Sequence, residues 1–287
     1  MIADSVDFAV ICTHMPLPPV MKTTLWAASL RADEAKKTNP VVNDPFALKL
    51  IGDEGLERGL EFEANKPARE WILKRTRLFD ELILWALRTY DLKTVIYPGS
   101  GLDTRPYRMD LPADLTWYEI DFQKVLDWKN QALALDKPKC KLVRVAGDLQ
   151  QPKAVQNAVG DKCQSENCLF IVENLLHYLE GLQTQNLLKD IADLCKGTIL
   201  ITDIGNSALP DSAMGRAMFG HIEKASSLRT KIDDLSGFVS HLGFTIVKSI
   251  PLAGLKGDPA TWVDGRPSWL TPKSKLDLLR VVVLEKK

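Results

Sequence analysis

The sequence predicts an α/β protein: a Rossmann-like, seven-stranded, mostly parallel sheet with an antiparallel last strand, a helical N-terminal cap and a lid insertion. Three observations predict it. Between residues 94 and 202, short β-branched runs alternate with helix-length amphipathic segments, the pattern of a parallel sheet with helices on both faces. The first run, Val95-Ile96-Tyr97, breaks at Gly99 and Gly101, as a strand-to-helix turn does. The last two runs follow one another without a helix, which sets the final pair antiparallel.

Residues 1–19 carry Pro16, Pro18 and Pro19 and read as an irregular arm. Leu25, Ala28 and Ala32 recur at helical spacing within a helix over 20–37, and Asn43-Asp44-Pro45 opens a second, short one. The clearest early helix covers 67–92, with Ile72, Phe79, Leu82, Ile83, Ala86 and Leu87 as its apolar stripe. Five strands follow at 94–97, 115–120, 142–146, 168–172 and 198–202, separated by helices over 122–135, 152–159 and 182–195. Residues 206–230 break the rhythm with Pro210, Gly215 and Gly220 amid Met214, Met218 and Phe219, the expected lid. A helix over 232–242 stops at Gly243, and strands over 244–250 and 278–284 flank an excursion containing Trp262. The chain divides into an arm and cap, 1–92, and a core, 93–287.

Composition narrows the function. Lys plus Arg and Asp plus Glu number 37 each, so net charge gives no reason to expect nucleic acid as a partner. Asp4 and Asp7 stand where a signal peptide needs basic residues, and no apolar run approaches membrane-spanning length, so the expected location is cytoplasmic. Five cysteines read as reduced thiols, and Cys163 and Cys168 are too isolated from other ligand types to suggest a metal site.

Gly99 and Gly101 point to a nucleotide-like cofactor at the carboxyl end of the sheet. Thr104 stands where a dinucleotide fingerprint has its third glycine, and no Gly-Lys-Ser/Thr closes a phosphate loop. A nicotinamide oxidoreductase therefore stays only as a rival, beside a non-catalytic cofactor-binding module. Asp121 ends the second strand, twenty residues after Gly101, where a carboxylate accepts ribose hydroxyls or caps the next helix. Asp148 ends the third strand and Glu173 the fourth, along the same crevice.

Gly-Ser-Gly-Leu-Asp-Thr-Arg-Pro-Tyr-Arg, with Arg75-Thr76-Arg77-Leu78-Phe79-Asp80, Tyr118-Glu119-Ile120-Asp121, Ala146-Gly147-Asp148-Leu149 and Val172-Glu173-Asn174-Leu175-Leu176-His177-Tyr178-Leu179, resembles the leucine carboxyl methyltransferase family. The likeness runs over about residues 20–205 and departs at Pro98, Ser100 and Asn174. It implies a class I methyltransferase fold and S-adenosylmethionine as cofactor. It further implies that Arg75 rather than Arg77 helps hold the methionine carboxylate. Asp148 with the Leu149 backbone would serve the adenine, and Glu173 the methionyl end. Ser100 and Phe122 complete the expected cofactor contacts. His177 and Tyr178 are the candidates to touch the acceptor at the crevice mouth, with Met218, His221 and Trp262 as pocket candidates; His14 and His241 carry no motif. The acceptor expected is a small organic molecule methylated on oxygen, a carboxylate ahead of a hydroxyl. The alternative is a protein C-terminal leucine.

Overall fold

A computed structural model describes residues 19–60, 66–163, 167–194, 197–212, 215–216, 232–257, 259–263 and 278–286. In chain order the helices are α1 (Pro19–Glu34), α2 (Ala47–Leu60) and α3 (Lys66–Tyr90), then β1 (Thr94–Pro98), α4 (Arg105–Arg108), β2 (Thr116–Asp121), α5 (Gln123–Ala132) and β3 (Lys141–Ala146). There follow α6 (Ala154–Cys163), β4 (Cys168–Val172), α7 (Gly181–Leu194), β5 (Thr198–Gly205), α8 (Leu235–Ser240), β6 (Thr245–Pro251) and β7 (Leu279–Lys286). The expected arm and most of the expected lid, including Met218 and His221, lie outside the described residues.

The strands form one sheet in the order β3-β2-β1-β4-β5-β7-β6. β1 is an interior strand parallel to both neighbours, with Ile96 opposite Tyr118 on β2 and Phe170 on β4. β7 runs antiparallel between β5 and β6, as the sequence reading expected of the last strand.

Period-two alternation sorts the core onto the two faces of the sheet. Val95, Tyr97, Leu169, Ile171, Ile199, Ile201, Val281 and Val283 pack in one cluster with Trp26 and Leu30 of α1 and the apolar stripe of α3. Ile96, Phe170, Val172, Leu200, Val282 and Leu284 pack in the other with α6 and α7. Near-continuous apolar strands of this kind are what a sheet covered on both faces requires. Among the described residues no helix is long and apolar enough to cross a membrane.

Several boundaries differ from the sequence expectation, and four differences have a clear local reason. β5 runs on to Gly205 because all eight of its residues pair with β7. α4 was not foreseen; it is a single turn with Pro106 in its first positions. α2 starts at Ala47, after Pro45, because the Asp44 carboxylate takes the Phe46 and Ala47 N–H groups. α8 is shorter than 232–242: Asp234 caps it by accepting from Gly237 N, and Gly243 leaves the helix at φ 78°.

Phe79 is fully buried between α3 and the sheet. Phe79→Ala is expected to cost about 3–5 kcal/mol, read as a lower urea midpoint with an unchanged slope.

Candidate active site

The carboxyl ends of β1, β2, β3 and β4 meet the glycine turn around a cavity of about 640 Å3. Gly99 and Gly101 have φ of 71° and 48°, conformations that L side chains rarely adopt. A Cβ on Gly101 would stand 2.8 Å from Thr24 Cγ2 of α1, and one on Gly99 3.1 Å from Leu175. The glycines are therefore fixed by conformation and by crowding: the cap lies directly on the turn. Thr24, Ala27 and Arg31, one stripe of α1, line the cavity from that side.

Asp121 closes the turn from β2. Its Oδ2 accepts from Gly101 N at 2.7 Å and its Oδ1 from Phe122 N at 2.8 Å. It is not the helix cap, since Phe122 holds that position without a side-chain bond. Burial raises its pKa above the ordinary Asp value, against the pull of those two N–H groups. Asp148 orients itself by accepting from Gln150 N at 3.0 Å and Gln151 Nε2 at 3.1 Å. Phe122, Leu149 and Ser100 also line the cavity, and the buried Ser100 Oγ has no hydrogen-bond partner among the described residues.

The third acid, Glu173, sits in a network that the sequence did not reveal. Glu173 Oε1 accepts from Arg75 Nε at 3.2 Å, and Oε2 lies 2.8 Å from Arg105 Nη1 and 3.2 Å from the Tyr97 hydroxyl. Arg105 is fully buried; its Nε reaches Asp80 at 2.7 Å and its Nη1 reaches Asp103 at 2.9 Å. Arg108 binds the same Asp80 through Nη1 and Nη2, at 2.7 and 2.8 Å. Burial alone would raise the Asp80 pKa, but Arg108 and Arg105 hold it below the ordinary Asp value. Arg75 also donates to Asn174 Oδ1 at 2.9 Å and lies 3.7 Å from Asp203. Arg77 faces the other way and pairs with Glu81, so of the two arginines only Arg75 reaches the cavity.

Two expected placements are corrected. His177 is not at the crevice mouth. The single 3-10 turn Leu176–Tyr178 carries its imidazole inward, 1% exposed, with Nε2 3.3 Å from Asp203 Oδ2. Tyr178, the next residue, does line the cavity, and its hydroxyl accepts from Asn174 Nδ2 at 3.3 Å. Trp262 is not in this cavity either. It packs into the α3 cluster, donates to the Lys256 carbonyl at 3.0 Å and borders a separate cleft with Lys74 and Arg77.

Tyr97, Arg105 and Asp203 are the site residues that sequence reasoning missed. Arg105 was in plain view within the Asp-Thr-Arg motif, and Asp203 is one more acid near the end of a parallel strand. Asp203 accepts from Asn174 N at 2.6 Å, fixing a residue that stands at φ 57°. Among the described residues no group of three His, Cys, Asp or Glu side chains could hold a metal ion.

The sequence profile of the leucine carboxyl methyltransferase family matches residues 24–192. A protein of Mycobacteroides abscessus, provisionally named an S-adenosyl-L-methionine-dependent methyltransferase, is 29% identical over 268 residues, 88% of this chain and 84% of its own. A Mycobacterium tuberculosis protein with the same provisional name is 34% identical over 192 residues, 60% of each chain. Among solved structures, a provisional methyltransferase from Thermobifida fusca superposes with a TM-score of 0.59 at 16% identity, over 84% of this chain and 92% of its own. Magnesium protoporphyrin IX methyltransferase from Synechocystis, solved with bound SAH, superposes with a TM-score of 0.50 at 14% identity, over 85% of this chain and all of its own. These likenesses show the class I methyltransferase fold.

The buried carboxylates make a pH prediction. A carboxylate with a depressed folded pKa contributes stability that is present above its unfolded value and lost as pH falls through the folded one. Asp80→Asn removes the charge facing two buried guanidinium groups and is expected to cost about 3–5 kcal/mol at neutral pH. The gap between wild type and variant should narrow as pH falls below about 3.8, the ordinary value, because the unfolded wild-type chain then binds a proton that the folded one does not. Urea unfolding across pH 3–7 checks the sign.

Proposed function

The chain belongs to the leucine carboxyl methyltransferase family and is an S-adenosylmethionine-dependent methyltransferase; on that premise we propose that it methylates a carboxylate oxygen of a small organic acceptor. The residues on the cavity wall fit the donor. Gly99 and Gly101 put no Cβ between the turn and a ligand, and Asp121, oriented by two backbone N–H groups, keeps lone pairs for ribose hydroxyls. Asp148 accepts from the adenine amino group, Phe122 covers the ring, and the Glu173 network receives the amino-acid arm.

When bound, the donor supplies a methyl group already activated on its sulfonium. The protein's part is to align the acceptor oxygen and to exclude water. A hydroxyl acceptor would need a base within hydrogen-bond reach, whereas a carboxylate is ionised at neutral pH. One observation carries the choice: no imidazole lines the cavity among the described residues. The Tyr97 hydroxyl is a poor base as well, since burial pushes its pKa well above the ordinary value and it remains protonated. Ala27, Leu175 and Leu179 give the wall an apolar stretch suited to a compact organic body. The buried Cys140 thiol is in keeping with a reducing, cytoplasmic setting.

Two experiments test the reading. Calorimetric titration with S-adenosylhomocysteine should show binding that Asp121→Ala weakens by about tenfold or more, as loss of a charged hydrogen-bond acceptor does. Absence of any heat would reject donor binding. A radiolabelled methyl donor, offered to small-molecule extract and to a leucine-ended peptide, should label the extract; label confined to the peptide would favour protein methylation. Once an acceptor is identified, His177→Ala should lower the thermal midpoint yet change kcat by less than about tenfold. A general base would be worth about a hundredfold or more.

A further inference from the structure

We propose that Tyr97 is a positioning residue, its hydroxyl holding the Glu173 carboxylate in the orientation that receives the α-ammonium group of the methyl donor; this rests on the donor-binding reading above. A carboxylate offers about four lone-pair directions. Oε2 of Glu173 is filled by Arg105 at 2.8 Å and Tyr97 at 3.2 Å. Among the described residues Oε1 takes only Arg75 Nε at 3.2 Å, which leaves it one direction for a further donor. Glu173 lines the cavity, and the group on the donor able to fill that direction with a charged N–H is its ammonium.

The two arginines do not orient this carboxylate by themselves. Arg105 is shared among Asp80, Asp103 and Glu173, and its Nη2 donates to the Thr76 carbonyl at 3.3 Å. Arg75 is shared with Asn174 and Asp203. Tyr97 is the third donor and the stiffest. It lies within β1, in register with Glu119 of β2, and its ring is packed in the core. Its hydroxyl donates to Glu173 and accepts from Arg105 Nη1 at 3.5 Å. Because burial pushes its pKa well above the ordinary value, that hydroxyl remains protonated and a donor at neutral pH.

Tyr97→Phe deletes the hydroxyl and keeps the packed ring, so the variant isolates one hydrogen bond. The probes are S-adenosylhomocysteine and 5′-methylthioadenosine. Both carry the adenosine and the sulfur; only the first carries the amino-acid arm. In calorimetric titrations, Tyr97→Phe should weaken S-adenosylhomocysteine by about fivefold to tenfold, the scale of one hydrogen bond to a charged group. It should leave 5′-methylthioadenosine within about twofold, inside ordinary additivity error. Glu173→Gln should discriminate in the same direction, and the double variant should bind no more weakly than Glu173→Gln alone. Thermal unfolding without ligand shows that each variant is folded. Equal weakening of both ligands, or a lower thermal midpoint with neither affinity changed, would reduce Tyr97 to a structural role and overturn the proposal. A wild-type protein that binds neither probe would overturn the donor reading instead, and this assignment with it.

Discussion

Arg105 is the charge around which the site is assembled. A fully buried guanidinium is tolerated only when its donors are satisfied and its charge is matched. Here the partners come from four separated segments: Asp80 and the Thr76 carbonyl on α3, Asp103 in the glycine turn, Glu173 past β4 and Tyr97 on β1. Meeting one cation's requirements therefore fixes α3 against the turn and the turn against the tip of β4. The same logic extends outward. Arg108 shares Asp80, and Arg31 of α1 binds Asp44 at 2.8 Å and the Leu102 carbonyl at 2.6 Å, so the cap is tied to the glycine turn. Such pairs contribute less to net stability than to a unique arrangement, because desolvation offsets much of their attraction.

The sheet was legible because its signals are local. A β-branched run ending in Gly or Asp announces both a strand and its carboxyl tip, and that brought Gly99, Gly101, Asp121, Asp148 and Glu173 to one crevice. The ion pairs were not legible, since they join residues such as Arg75 and Glu173, distant in the chain and related only by the fold. Asp203 was hidden for a related reason. Thr202 looked like the end of its strand, and only pairing with β7 carries the strand three residues further. His177 illustrates the opposite error. A loop histidine beside a conspicuous motif suggested chemistry, but one tight turn sends it inward and its neighbour Tyr178 outward.

Asn174 shows how a departure from the family pattern can be built into the site. Its left-handed backbone is a conformation Asn tolerates better than most residues, and Asp203 holds its N–H there. The side chain then bridges Arg75 and Tyr178 through its two different amide atoms. A smaller residue in that position would leave both partners to find other contacts.

The position of β7 bears on how the molecule comes together. β6 precedes β7 in the chain, yet among the described residues β7 is the strand that joins β6 to the rest of the sheet. During synthesis β1 to β5 can pair as they emerge, but β6 then has no place to dock. Its partner is β7, made after it, which must pair with β5 over eight residues and offer its other edge to β6. Until then the apolar edge of β5 stands open, a surface prone to wrong pairing with other chains. Completion of the sheet thus depends on long-range pairing, the kind whose loop-closure entropy slows folding.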